Sequence, residues 1–199
     1  MTAQKKKTYH HGNLRSALIE NGQQILETEG IDALSLRYVA RKTGVTQAAP
    51  YSHFKDKNAL LAAIAEKGFQ NLALQMADEA TGIKNSLFRI EALALSYLDF
   101  ATKNLALFHL MFGRELAQIS NFPTLAMTAG KSYSLFSSAI STHLKTKEDS
   151  RDPQPLTVSV WGMVHGLTSL IVDGKIATNH IGAPDNKDFI QKVFENIQL

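Results

Sequence analysis

The 199-residue sequence predicts an all-α fold, with an N-terminal three-helix helix-turn-helix domain joined by a long helix to a larger helical domain. Three observations predict it. Apolar residues recur at three- and four-residue spacing through most of the chain, and no period-2 run is long enough for a sheet. Ser, Thr, Asn or Asp precede many of those runs and Gly or Pro often follow, as helix caps and stops require. Residues 34–57, LSLRYVARKTGVTQAAPYSHFKDK, read as two short helices about a glycine turn, followed by an anchoring loop.

Taken in order, Asn13 suits the N-cap of a first helix running to about Glu29. Leu14, Leu18, Ile25 and Leu26 mark its buried face, and Gly30 ends it. Ser35 caps a second helix whose apolar face is Leu36, Val39 and Ala40. Gly44 stands where that helix must stop, because glycine enters the left-handed region at little cost. Val45 plugs the angle between helices, and Thr46 is expected to cap a short helix from Gln47 to about His53. Pro50 lacks an N–H and is expected to bend or shorten it. Asp56 then caps a long helix from about Lys57 to Glu79, ended by Gly82. Further helices are expected at Asn85–Lys103, at Leu105–Phe112 with a turn toward Ile119, and at Pro123–Thr146. A charged, Pro-containing loop at 147–155 leads to helices at Leu156–Ala177 and Asp185–Ile197. The domains divide at residue 57, into 1–57 and 58–199.

The short helix has the composition of a groove reader rather than a core element. Gln47 can pair bidentately with adenine, and Ala48 and Ala49 suit thymine methyl groups. Tyr51 and His53 can reach phosphates, and Lys57 adds a point charge. An ordinary helix pair accounts for Val39, Ala40, Val45 and Phe54, but not for polar Gln47, Tyr51 and His53 beside basic residues. The spacing therefore favours DNA binding over a helical adaptor that binds protein or a small molecule.

About the first 65 residues resemble the DNA-binding domain of the TetR family of bacterial transcription regulators. The likeness rests on Leu36, Val39 and Ala40, then Thr43-Gly44-Val45, then Tyr51-x-His53-Phe54, with Lys57 and Leu60-Leu61 beyond. It implies base contacts from Gln47, Ala48 and Ala49. It implies phosphate contacts from Ser35, Arg37, Thr46, Tyr51, His53 and Lys57. Pro50 stands where many members carry an aliphatic residue. Tyr9-His10-His11-Gly12-Asn13-Leu14, Ala48-Ala49-Pro50-Tyr51 and Trp161-Gly162-Met163-Val164-His165-Gly166 are similar to the subgroup named for a Trp-His-Gly C-terminal domain. The resemblance also implies a ligand-released repressor, a palindromic operator in double-stranded DNA and a two-fold homodimer through residues 156–177 and 185–197.

Composition narrows the class. There is no Cys, which excludes disulfides and thiolate metal sites. Residues 1–57 hold nine Lys/Arg against five Asp/Glu, and residues 58–199 hold twelve against thirteen. The positive surplus thus lies with the helix-turn-helix, where phosphates need neutralising. Lys5-Lys6-Lys7 supplies three of those charges on an expected arm able to track the backbone or a minor groove. The start has no apolar run, and Val158–Val172 is broken by polar and Gly residues, so a cytoplasmic protein without a membrane span is expected.

The larger domain is rich in aromatic and Met residues. Most are expected to fill a core; Phe108, Met111, Phe112, Trp161 and His165 are the candidates for an inducer pocket between helices, which the family resemblance implies. His165 lies four residues after Trp161, so the two face one way. Two readings of it stay open, a satisfied buried histidine and a polar handle for a ligand. Gly162 and Gly166 share a stripe, each costing a helix roughly 1 kcal/mol relative to Ala, which suggests close approach of another helix. Adjacent His10 and His11, with scattered His109, His143 and His180, suit no metal, and no cofactor is expected. No nucleophile elbow, phosphate loop, dinucleotide turn or His-Glu-x-x-His motif appears, so an enzyme is not expected. The nearest approach is Asp173, eight residues from His165 on a possible shared face.

Overall fold

A computed structural model describes residues 14–116 and 119–197. Eight α-helices follow in chain order: α1 Leu14–Glu29, α2 Leu36–Thr43, α3 Lys57–Ala80, α4 Ser86–Lys103, α5 Leu105–Phe112, α6 Pro123–Thr146, α7 Pro153–Val172 and α8 Asn186–Glu195. No strand occurs among the described residues. The expected all-α architecture is therefore the observed one. Asn13, the Lys5-Lys6-Lys7 arm and the Tyr9–Asn13 motif lie outside the described residues.

Local chemistry sets most boundaries. Ser35 caps α2 by accepting from the Tyr38 N–H at 3.2 Å. Gly44 ends it at φ 77°, with its own N–H on the Arg41 carbonyl and the Val45 N–H on the Ala40 carbonyl. The Asp56 carboxylate accepts from the Ala59 N–H and starts α3, and Asn85 accepts from Leu87 and Phe88 to start α4. Two expectations need correction. The stretch after Thr46 is not an α-helix but a turn leading into a 3-10 segment, Ala49–Ser52, with Pro50 buried at its start. Thr46 closes this turn through its carbonyl, which accepts from Ala49, and not through its hydroxyl. The seventh helix begins at Pro153, three residues earlier than expected. Pro153 sits at N1, where a missing N–H is harmless, and Asp152 supplies the cap. It also stops five residues early, at Val172, because Gly174 turns left-handed at φ 66° and sends the Lys175 N–H back to Leu170.

One continuous buried core runs from Leu18 in α1 to Phe194 in α8. α3 is its axis and packs against α1, α4, α5 and α6. Two glycines permit close approach along it. A Cβ on Gly22 of α1 would fall 2.8 Å from Ile64 Cδ1, and one on Gly68 of α3 would fall 2.6 Å from Met111 Sδ of α5.

α7 behaves differently from the other long helices. Only Thr157, Val160, Val164 and Thr168 are buried on it. By length and composition this 20-residue helix is apolar enough to cross a membrane, contrary to the expectation that no stretch would be. Its outer side exposes Val158 and Leu170, and a Cβ at Gly162 or Gly166 would meet nothing within 4 Å. The helix these glycines were expected to admit is not found among the described residues.

Candidate functional site

The residues predicted to touch DNA share the region around the α2–α3 connection. Ser35 and Arg37 are exposed at the start of α2. Thr46, Gln47 and Ala48 are exposed in the turn after Gly44, and Ala49 is half-buried where the 3-10 segment begins. Tyr51 presents 51% of its surface and His53 is exposed beyond it. The tight segment is held by backbone bonds from Tyr51 to Ala48 and from His53 and Phe54 to Pro50. Pro50 and Phe54 supply its buried side, so the polar side chains face outward.

Lys57 is placed differently from a free point charge. Its ammonium donates to the Ile31 carbonyl at 2.7 Å, and the side chain is half-buried. Two of its N–H groups remain for a phosphate, but the residue first ties α3 to the turn after α1.

Sequence reasoning missed a second joint. The Tyr38 hydroxyl donates to the Glu29 carboxylate at 2.8 Å, and Lys42 pairs with the same carboxylate at 3.1 Å. The Tyr38 bond, followed by Lys42, holds the Glu29 carboxyl below its usual range. Arg41 lies 4.6 Å over the Tyr38 ring and Arg15 5.6 Å over Phe54. A helical Tyr with basic residues three and four positions on was the only available signal; its acidic partner sits nine residues earlier on another helix.

In the larger helical region the structure brings together four of the five pocket candidates. Phe108 and Phe112 meet at 4.9 Å with tilted planes, Phe112 meets His165 at 4.7 Å, and His165 lies on Trp161 at 5.4 Å with planes 5° apart. Tyr97, not singled out for the pocket, completes the group, with its hydroxyl 2.8 Å from His165 Nδ1. Burial raises the Tyr97 pKa and lowers that of His165. Both groups are thus neutral, and the tautomer of His165 sets which of the two donates. Met111 stands apart, against Gly68. These residues are packed ring on ring. A cleft of about 580 Å³ lies elsewhere, between Lys55, Asn58, Arg114 and Phe122. Asp173 does not join His165; it stands 3.8 Å from His109 at the surface.

A capped helix, a left-handed glycine, a short outward-facing reader and a long helix into a larger helical body define a helix-turn-helix regulator. The family described as bacterial regulatory proteins, tetR family, matches residues 18–64, and the tetracyclin repressor-like C-terminal domain matches residues 90–195. The chain belongs to the TetR family of bacterial transcription regulators. It is 30% identical over 93 residues to the uncharacterized HTH-type transcriptional regulator YobS of Bacillus subtilis (strain 168), covering 47% of this chain and 48% of that protein. It is 44% identical over 52 residues to the tetracycline repressor protein class C of Escherichia coli, covering 26% and 24%. The match therefore spans less than half the length of either curated relative. A protein of unknown function from Rhodococcus sp. RHA1 superposes with a TM-score of 0.81 at 30% identity, covering 96% of each chain. The fatty acid degradation regulator FadR from Bacillus halodurans shares the fold, with a TM-score of 0.69 at 12% identity over 96% of this chain and 95% of that one.

Proposed function

We propose that this chain is a homodimeric, cytoplasmic repressor that binds a palindromic DNA operator and leaves it when a small molecule enters the helical domain. The observation that carries the reading is the outward cluster of Gln47, Ala48, Tyr51 and His53 on a segment clamped between Gly44 and Lys57. In this reading residues 1–57 contact DNA, residues 58–199 bind the ligand and the partner, and α3 belongs mechanically to both. Gln47, Ala48 and Ala49 read base edges, while Ser35, Arg37, Thr46, Tyr51, His53 and Lys57 hold phosphates. The exposed apolar side of α7 with Gly162 and Gly166, together with α8, forms the two-fold interface. That assignment accounts for an apolar α7 without a membrane.

The test is binding to DNA from upstream of the protein's own gene, with scrambled DNA as control, across a salt series. Tight binding to the upstream DNA that persists near physiological salt is the expected result. Equal binding to both that fades steeply with salt reports backbone contact alone. Indifference to DNA at every salt concentration overturns the reading in favour of a helical adaptor.

A further inference from the structure

Trp161 carries an unmet donor. Its indole Nε1 is fully covered, yet no acceptor among the described residues reaches it. A buried N–H without an acceptor is destabilising, and such donors are few in folded proteins. The indole is otherwise well placed, with Tyr133 edge-on at 6.0 Å and His165 parallel at 5.4 Å. The rings linked to it through His165 are Tyr97, Phe108 and Phe112. None of these side chains is charged near neutral pH. Of the polar atoms they offer close by, Tyr97 Oη and His165 Nδ1 bond each other, and Tyr133 Oη reaches Gln154 at 3.4 Å.

We propose that this ring cluster is the effector site, and that it selects an uncharged, flat molecule whose hydrogen-bond acceptor takes the Trp161 Nε1–H. This rests on the ligand-released regulator proposed above. Parallel ring faces select a planar guest, because a flat ring can take up the same offset stacking that Trp161 and His165 make with each other. The absence of a cation among the lining rings selects against a carboxylate, whose desolvation nothing there offsets. The rings touch one another in this structure, so a guest enters by parting them, and Trp161 is only half-buried.

Trp161 is the single Trp of the chain, so its emission reports on this site alone. Three probes of one shape separate the terms: acetophenone is neutral with an acceptor, ethylbenzene is neutral without one, and benzoate is a charged acceptor. Titrated into the full-length protein, acetophenone is expected to change the emission saturably and to bind about tenfold more tightly than either of the others, as one hydrogen bond allows. Trp161→Phe keeps a ring and removes the N–H. By calorimetry it should bind acetophenone and ethylbenzene alike. No saturable change with any probe, equal affinities in the native protein, or benzoate binding tightest overturns the proposal, as does a preference that survives in Trp161→Phe. Operator release is scored separately. Ranked binding without DNA release leaves the site standing and removes the inducer role. Release by another ligand, unchanged in Trp161→Phe, leaves the regulator standing and removes this site.

Discussion

Lys57 Nζ lies 2.7 Å from the carbonyl of Ile31, so the first residue of α3 is bonded to the turn that ends α1. The α3 axis is thereby fixed to the helix-turn-helix at the point where the two meet. Replacing Lys57 by Ala should act twice. Stability should fall by about 1–2 kcal/mol, as for a charge-assisted bond to a half-buried carbonyl. DNA affinity should fall for all sequences alike, with a shallower salt slope. Thermal melting and salt-dependent binding read the two effects. An unchanged melting temperature would mean that the tie is not made in solution.

Gln47 should behave in the opposite way. Gln47→Ala should leave the melting temperature unchanged, because the side chain is exposed. It should cost about 1–3 kcal/mol at one base position of each half-site and little elsewhere. A base-by-base operator scan checks this. Uniform weakening would make Gln47 a backbone anchor.

His165 predicts a pH dependence with a definite sign. Burial depresses its folded pKa below the ordinary 6.5, so the unfolded chain binds the proton first as pH falls. The neutral-histidine contribution is complete above about pH 6.5 and declines below it, until the folded pKa is reached. Melting temperature should therefore drop between pH 7.5 and pH 5.5. His165→Gln should flatten that part of the profile relative to the native chain. An equal slope in both proteins would place the titration elsewhere.

Tyr97→Phe removes the hydroxyl that bonds His165 Nδ1, at a position that is itself fully buried. The expected loss is about 1–3 kcal/mol, measured by denaturant unfolding. Neutral behaviour would mean that another partner replaces the phenol.

Gly162 and Gly166 give a test of assembly free of folding effects. Neither would bring a Cβ within 4 Å of the chain's own packing, so Gly166→Leu should leave the isolated helix as stable or more so. If α7 faces its partner there, the same change should push the dimer toward monomer in sedimentation. An undisturbed dimer would move the interface off this stripe.

Much of this was legible in the sequence because it is local. Ser35, Asp56 and Asn85 cap their helices through side-chain oxygens two or three residues from the N–H they serve, a distance a sequence shows directly. Trp161 and His165 stack as four-residue helical spacing requires. Pro50 marked the reader as irregular, although its 3-10 geometry depends on burial of that proline. What stayed hidden joins distant elements. The Glu29–Tyr38–Lys42 joint and the Tyr97–His165 bond each need two helices already docked. Pro153 misled because proline suits both a loop and a first helical turn, and the Asp152 cap that decides between them was overlooked.

The meeting of Gly68 with Met111 has a mechanical consequence. The thioether of α5 rests where a methyl group on α3 would stand, eleven residues along from Lys57, or about 16 Å at 1.5 Å per residue. Close-packed surfaces move between discrete seatings rather than sliding freely. A disturbance of the rings at Phe108 and Phe112 that is to reach α3 through α5 has to unseat this contact, so a stepwise rather than graded response at the Lys57 end is the expected outcome.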